Sequence, residues 1–148
     1  MSKWLFKAKL RGSHEVPSVE TDARGLALLK FKRHNNHLKL AYLVKIRDIE
    51  SLRKIDLHLG RRGQVGPVVA TLYGPTTPGI SVSRGKVFGV LRSSDLVGPL
   101  RGHSLIKLLK LILKGKIYVN VHTTEHPRGE IRGQVHKKHR HHCGCNEA

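Results

Sequence analysis

The segment "KIDLHLG", residues 54–60, places a carboxylate and an imidazole two positions apart on what reads as a strand. Successive strand side chains point to opposite faces. With Ile55, Leu57 and Leu59 on one face, Asp56 and His58 share the other. Two ligands at i and i+2 on a strand aim the same way, and imidazole nitrogen and carboxylate oxygen both suit divalent zinc or copper. The same alternation in "KIYVNVH" sets Ile117, Val119 and Val121 against Tyr118, Asn120 and His122. In "GEIRGQV" it sets Ile131 and Val135 against Glu130, Arg132 and Gln134. If these strands are neighbours, their polar residues form one patch. Three readings stay open for it. One is a metal site of Asp56, His58 and His122, with Glu130 as a further ligand. Another is a binding or assembly surface that uses Asn120, Glu130, Arg132 and His122. The last is a structural network in which the polar groups satisfy one another.

A second candidate lies at the end of the chain, in "HKKHRHHCGCNEA" (136–148). His139, His141, His142, Cys143 and Cys145 make a short His/Cys-rich tract of the kind that binds zinc, nickel or copper opportunistically. The spacing fits no structural zinc module. Cys143 and Cys145 are also terminal thiols able to crosslink one chain to another. The tract has little apolar content and is expected to be a flexible basic tail.

The elements that must position the patch are mostly strands. Period-two alternation, broken by Gly, Pro, Asn and Asp, recurs in "KWLFKAKL", "LALLKFKR", "HLKLAYLVKI", "RKIDLHLG", "VVATLYG" and "KVFGVL". "RHNN" reads as a tight turn, and "GSHEVPSVETDARG" and "PTTPGISVSRG" as loops. One run differs: Leu105, Leu108, Leu109 and Ile112 follow helical spacing within 103–114, with Ser104 as N-cap and Gly115 past the end. Seven or eight strands and one short amphipathic helix predict an all-β domain, an antiparallel β-sandwich or closed sheet, over residues 1–135, followed by the tail.

Composition bounds function. The chain of 148 residues carries 28 Lys and Arg against 10 Asp and Glu, a net charge of +18. Such a surface attracts polyanions such as nucleic acid, anionic wall polymer or lipid headgroups, unless it serves solubility alone. Aromatics are scarce at 5%, which offers few stacking groups for single strands and predicts no sequence-specific nucleic-acid recognition. No apolar run is long enough to span a membrane, and no signal-peptide run opens the chain. No nucleophile elbow, Ser/His/Asp order or phosphate loop occurs, so an enzyme is not expected.

Three phrases resemble the CHRD domain family, named for its occurrence in chordin. They are "LRGSHEVPSVETDARGLALLKF", "IDLHLGRRGQVGPVVATLYG" and "YVNVHTTEHPRGEIRGQV". The resemblance covers residues 4–135 and implies a sandwich of immunoglobulin or superoxide-dismutase character. It also implies a non-enzymatic structural or binding module of a bacterial surface or spore layer. The family pattern is His-x-His where this chain has Asp56-x-His58. The body lacks the histidine set of a copper–zinc dismutase.

Overall fold

The computed structural model describes residues 4–138. The tract His139, His141, His142, Cys143 and Cys145 lies outside them. The strands are β1 (Leu5–Arg11), β2 (Arg24–His34), β3 (His37–Leu59), β4 (Val68–Tyr73), β5 (Ile80–Leu91), β6 (Ile117–Thr123), β7 (Ile131–Gln134) and β8 (His136–Lys137), with one helix, α1 (Leu105–Leu113), before β6. No helix among the described residues is long and apolar enough to cross a membrane.

All pairings are antiparallel. The order β2-β1-β7-β6-β3-β4 is joined by a second pairing of β2 with β3, so the strands close in a barrel-like arrangement. An all-β fold is therefore present, as a single continuous sheet. β3 makes this possible. Its first part pairs with β2 and β5, and its second with β4 and β6. "HLKLAYLVKI" and "RKIDLHLG", read from sequence as two strands, are one 23-residue strand. Asp48 and Ser51 take positive φ (55° each), and the register shifts between Ile49 and Leu52. This is a bulge-type bend that turns the chain without ending it. β5 also starts earlier than alternation suggested, at Ile80, inside the Ser-rich stretch read as loop.

Local chemistry accounts for the joints. Asn35 and Asn36, at φ 50° and 66°, form the two-residue turn between β2 and β3, the left-handed pair that matches strand twist. Ser104 Oγ accepts from the Ile106 amide at the start of α1, and Gly115 at φ 73° follows its last turn. Leu105, Leu108 and Ile112 bury that helix's apolar stripe. Phe6, Leu10, Leu29, Leu40, Ile55 and Leu57 are among the fully buried core residues, and Phe6 meets Phe31 edge to face at 5.8 Å. Pairing with β1 runs on to His136 and Lys137, two residues into the segment read as tail.

Where β1 crosses β7 the backbones leave no room for a side chain: a Cβ at Gly133 would lie 2.1 Å from the Lys9 carbonyl oxygen. Gly133→Ala is expected to cost about 1–3 kcal/mol by overpacking, read as a lower urea midpoint with an unchanged m-value.

Candidate functional site

The apolar residues of β6 and β7, Ile117, Val119, Val121 and Ile131, are fully buried in the core. Their alternates point to the opposite face of the sheet. Register sets Asp56 beside Asn120, and Asn120 beside Arg132. His58 stands beside Tyr118, and Lys54 beside His122. The face that alternation assigned to the polar residues is the one they occupy. It is not a solvent face, however. Asp56 is 1% exposed, His58 7% and Arg132 3%. Loop segments cover it, among them the β1–β2 stretch with Glu15, the β3–β4 loop with Gly66, and the turn through Pro127 to Gly129.

Asp56, His58 and His122 each offer a ligand atom within 4.8 Å of the others. Among the described residues no other three His, Cys, Asp or Glu side chains gather in this way. His122 Nε2 lies 3.2 Å from Asp56 Oδ2, and His58 Nε2 lies 3.8 Å from the same oxygen. The two Nε2 atoms are 3.4 Å apart. The outer nitrogens fix the tautomers: His58 Nδ1 donates to Gly66 O at 2.8 Å, and His122 Nδ1 to Pro127 O at 2.9 Å. A carbonyl only accepts, so both protons sit on Nδ1 in the neutral rings, and both Nε2 lone pairs face inward. Burial holds the His58 pKa below the ordinary histidine value, against the raising effects of the Gly66 hydrogen bond and Asp56. A neutral ring at physiological pH follows. With both rings neutral three acceptors converge, and Asp56 Oδ2 has no hydrogen-bond partner. Lys54 Nζ approaches it at 3.4 Å from a partly exposed position.

Around this centre the other sequence candidates divide. Glu130 Oε1 accepts from Thr123 Oγ1 at 2.9 Å and Oε2 from Thr21 Oγ1 at 2.6 Å, so its carboxylate ties strands to loop and stays out of the triad. Arg132 lies 3.5 Å above the Tyr118 ring and donates to Arg61 O at 3.0 Å. Tyr118 in turn stacks on His58, with centroids 4.9 Å apart. Asn120 Nδ2 donates to Arg128 O at 3.0 Å, while its Oδ1 is buried without a partner. Asn120, Glu130 and Arg132 therefore build the walls instead of presenting a surface.

Sequence reasoning passed over Glu15, Lys54 and Gly66, and gave Tyr118 a face but no role. Glu15 sits in the stretch read as connection, yet it is 8% exposed and its Oε2 has no partner. Its pKa is raised to about 7, chiefly by burial and against the pull of Arg132 and His122. Gly129, at φ 129°, lies against both Asn120 and Glu15 Oε1, in a place and conformation closed to larger residues. The "HEVPS" phrase, with an acid two residues before a proline inside a long loop, was the one signal that this segment is fixed.

The fold and this enclosed polar centre define an all-β domain that covers a His/Asp cluster on its second sheet face. The CHRD domain model matches residues 6–135, and the chain belongs to the CHRD domain family. That is not a known enzyme family. No curated protein and no solved structure matches the chain.

Glu15 makes stability depend on pH. The folded state holds its proton up to about pH 7, while the unfolded chain releases it near the ordinary 4.5. Stability therefore falls as pH rises through that window and stays lowered above it. Glu15→Gln should leave the melting temperature unchanged near pH 4 and raise it at pH 8, by about 1–2 kcal/mol in stability terms. Thermal melts of both proteins across pH 4–8 check this.

Proposed function

We propose that this CHRD domain is a non-enzymatic binding module whose buried centre of Asp56, His58 and His122 holds one divalent transition metal, zinc or copper. The observation that carries the reading is the inward convergence of three lone pairs, with both outer imidazole nitrogens fixed on carbonyls. Carbonyl-anchored imidazoles are the usual support of metal-ligating histidine. The spacing also fits. Ligands about 2.0–2.1 Å from a tetrahedral ion lie about 3.3 Å from one another, and the separations here are 3.2, 3.4 and 3.8 Å. A fourth position is left for water or a ligand. Asp56 replaces the family's first histidine with an oxygen donor, which keeps the site chelating and lowers its net charge. The family resemblance extends the reading to a bacterial surface or spore layer, with Cys143 and Cys145 as crosslinking thiols.

Lys54 is the competing occupant. Its ammonium, 3.4 Å from Asp56 Oδ2, neutralises the carboxylate when no metal is bound and must swing outward when one is. Zinc titration of the full chain decides between metal and network. His58→Ala and His122→Ala should each remove one equivalent of bound metal relative to wild type, whatever the His/Cys tract binds, and Lys54→Met should raise affinity several-fold. Zinc should raise the melting temperature of wild type and leave that of His122→Ala unmoved. Equal stoichiometry in all four proteins would reduce the centre to an ion-pair network.

A further inference from the structure

The remaining feature is on the outward face of the sheet as well, over β2, the first part of β3, and β5, away from the covered centre. Register places Arg24 opposite Arg47 and Arg47 opposite Arg84, three arginines in line across β2, β3 and β5. Two residues along each strand, Leu26, Lys45 and Lys86 form a second line. Between the lines lies a groove of about 570 Å³, floored by Gly25, Ile46 and Gly85, and no acidic residue lines it. On β1, Arg11 and Lys9 continue the two walls. Like charges directly opposite on neighbouring strands, about 5 Å apart, repel. None of these cations makes an ion pair among the described residues. Six acids, Glu20, Asp22, Asp48, Glu50, Glu125 and Glu130, share another groove; Glu20 and Asp22 also border one with Arg11 and Arg24 at the end of the row. A row arranged against its own repulsion awaits an anion.

Next to the lysine wall the face changes character. Leu28, Leu43 and Phe88 form the following cross-strand line. The two leucines are half-buried, and the Phe88 ring is 76% exposed. A recessed cationic channel beside an apolar shelf with an open aromatic face has the two parts that an unpaired nucleic-acid strand uses: a track for phosphates and a platform for bases. A duplex would engage the cations and leave Phe88 idle. A bilayer surface would meet protruding groups but could not enter a channel floored by backbone.

We propose that the β2–β3–β5 face binds single-stranded nucleic acid without sequence preference, phosphates between the arginine and lysine walls and a base against Phe88. Recognition needs no metal and is independent of the Asp56 centre.

The test is fluorescence anisotropy of a labelled oligo-dT with the full chain over a range of salt, with linear polyphosphate as competitor and anionic phosphatidylglycerol vesicles in parallel. Arg24, Arg47 and Arg84 are exposed, so their joint replacement by Ala should leave the melting curve intact. It should weaken oligo-dT at least ten-fold and flatten the log K against log salt slope by about 2, near 0.7 per lost phosphate contact. Phe88→Ala should weaken oligo-dT about five- to hundred-fold, as loss of one stacked base does, and leave polyphosphate unchanged. His122→Ala should bind oligo-dT as wild type does. The proposal is overturned if the arginine variant keeps wild-type affinity, which would put binding elsewhere on the basic chain. It is equally overturned if Phe88→Ala is silent towards oligo-dT, which leaves bare charge attraction, or if Phe88→Ala releases the protein from vesicles while oligo-dT binding is unmoved, which makes the shelf a lipid contact.

Discussion

Everything on the sheet's two faces depends on the bend in β3. Before it, Leu40, Val44 and Ile46 point inward; after it, Ile55 and Leu57 do. From Ile46 to Ile55 the buried positions step by three, through Ile49 and Leu52, so their parity ends odd; the register shifts between Ile49 and Leu52 against β5 and between Leu52 and Lys54 against β6. Were β3 a regular strand, the even positions would stay inward, and Asp56 and His58 would enter the apolar core as unpaired polar groups, a cost of several kcal/mol. The bend sends them to the opposite face. It also lets one strand serve two neighbourhoods, so that the cationic face over Lys45 and Arg47 and the histidine centre at Asp56 and His58 are built on the same segment of chain.

The second requirement is a cover for the polar face. Hydrogen bonds from loop to strand supply it: His58 to Gly66, His122 to Pro127, Asn120 to Arg128, and Thr21 to Glu130. Three of the four are part-buried and the His122–Pro127 bond is at the surface, so the loops that hide the centre are largely the ones that satisfy it. The column Arg132–Tyr118–His58 fills the remaining space with stacked planar groups. Among the buried side-chain atoms of the described residues only Glu15 Oε2, Asp56 Oδ2 and Asn120 Oδ1 lack a hydrogen-bond partner, and two of the three belong to residues next to one another in the β3–β6 register.

Much of this was legible in the residues. Alternation alone put Asp56, His58 and His122 on the non-core side, and the Leu105–Ile112 spacing with Ser104 gave α1 its place. Alternation could not say whether that side was wet, because burial of a sheet's second face is decided by loops distant in sequence. The stretch from Gly12 to Ala23 has loop composition and a site-wall role at once. The union of two strands into β3 was hidden because "RDIES" carries the polar, turn-prone residues of a break and uses them for a bend. The groove between Arg24, Arg47 and Arg84 was hidden for another reason. Net charge is visible in a composition, but a row of charges exists only once the register between β2, β3 and β5 is known.

The pairing of β1 with β7 and β8 brings together segments more than a hundred positions apart: Arg11 meets Arg132, and Phe6 meets Lys137. A ring closed this way has its slowest contact last. During synthesis β1 leaves the ribosome with one edge paired to β2 and the other bare until β6, β7 and β8 follow. Closure over so long a loop is entropically late. A chain in which that closure is not yet made exposes a strand edge of "LFKAKLR", where Lys7, Lys9 and Arg11 alternate with buried residues. Charged edges of this kind repel their own copies. The same positive charge that readies the finished sheet for an anion thus acts earlier, as a guard against aggregation of the half-built one.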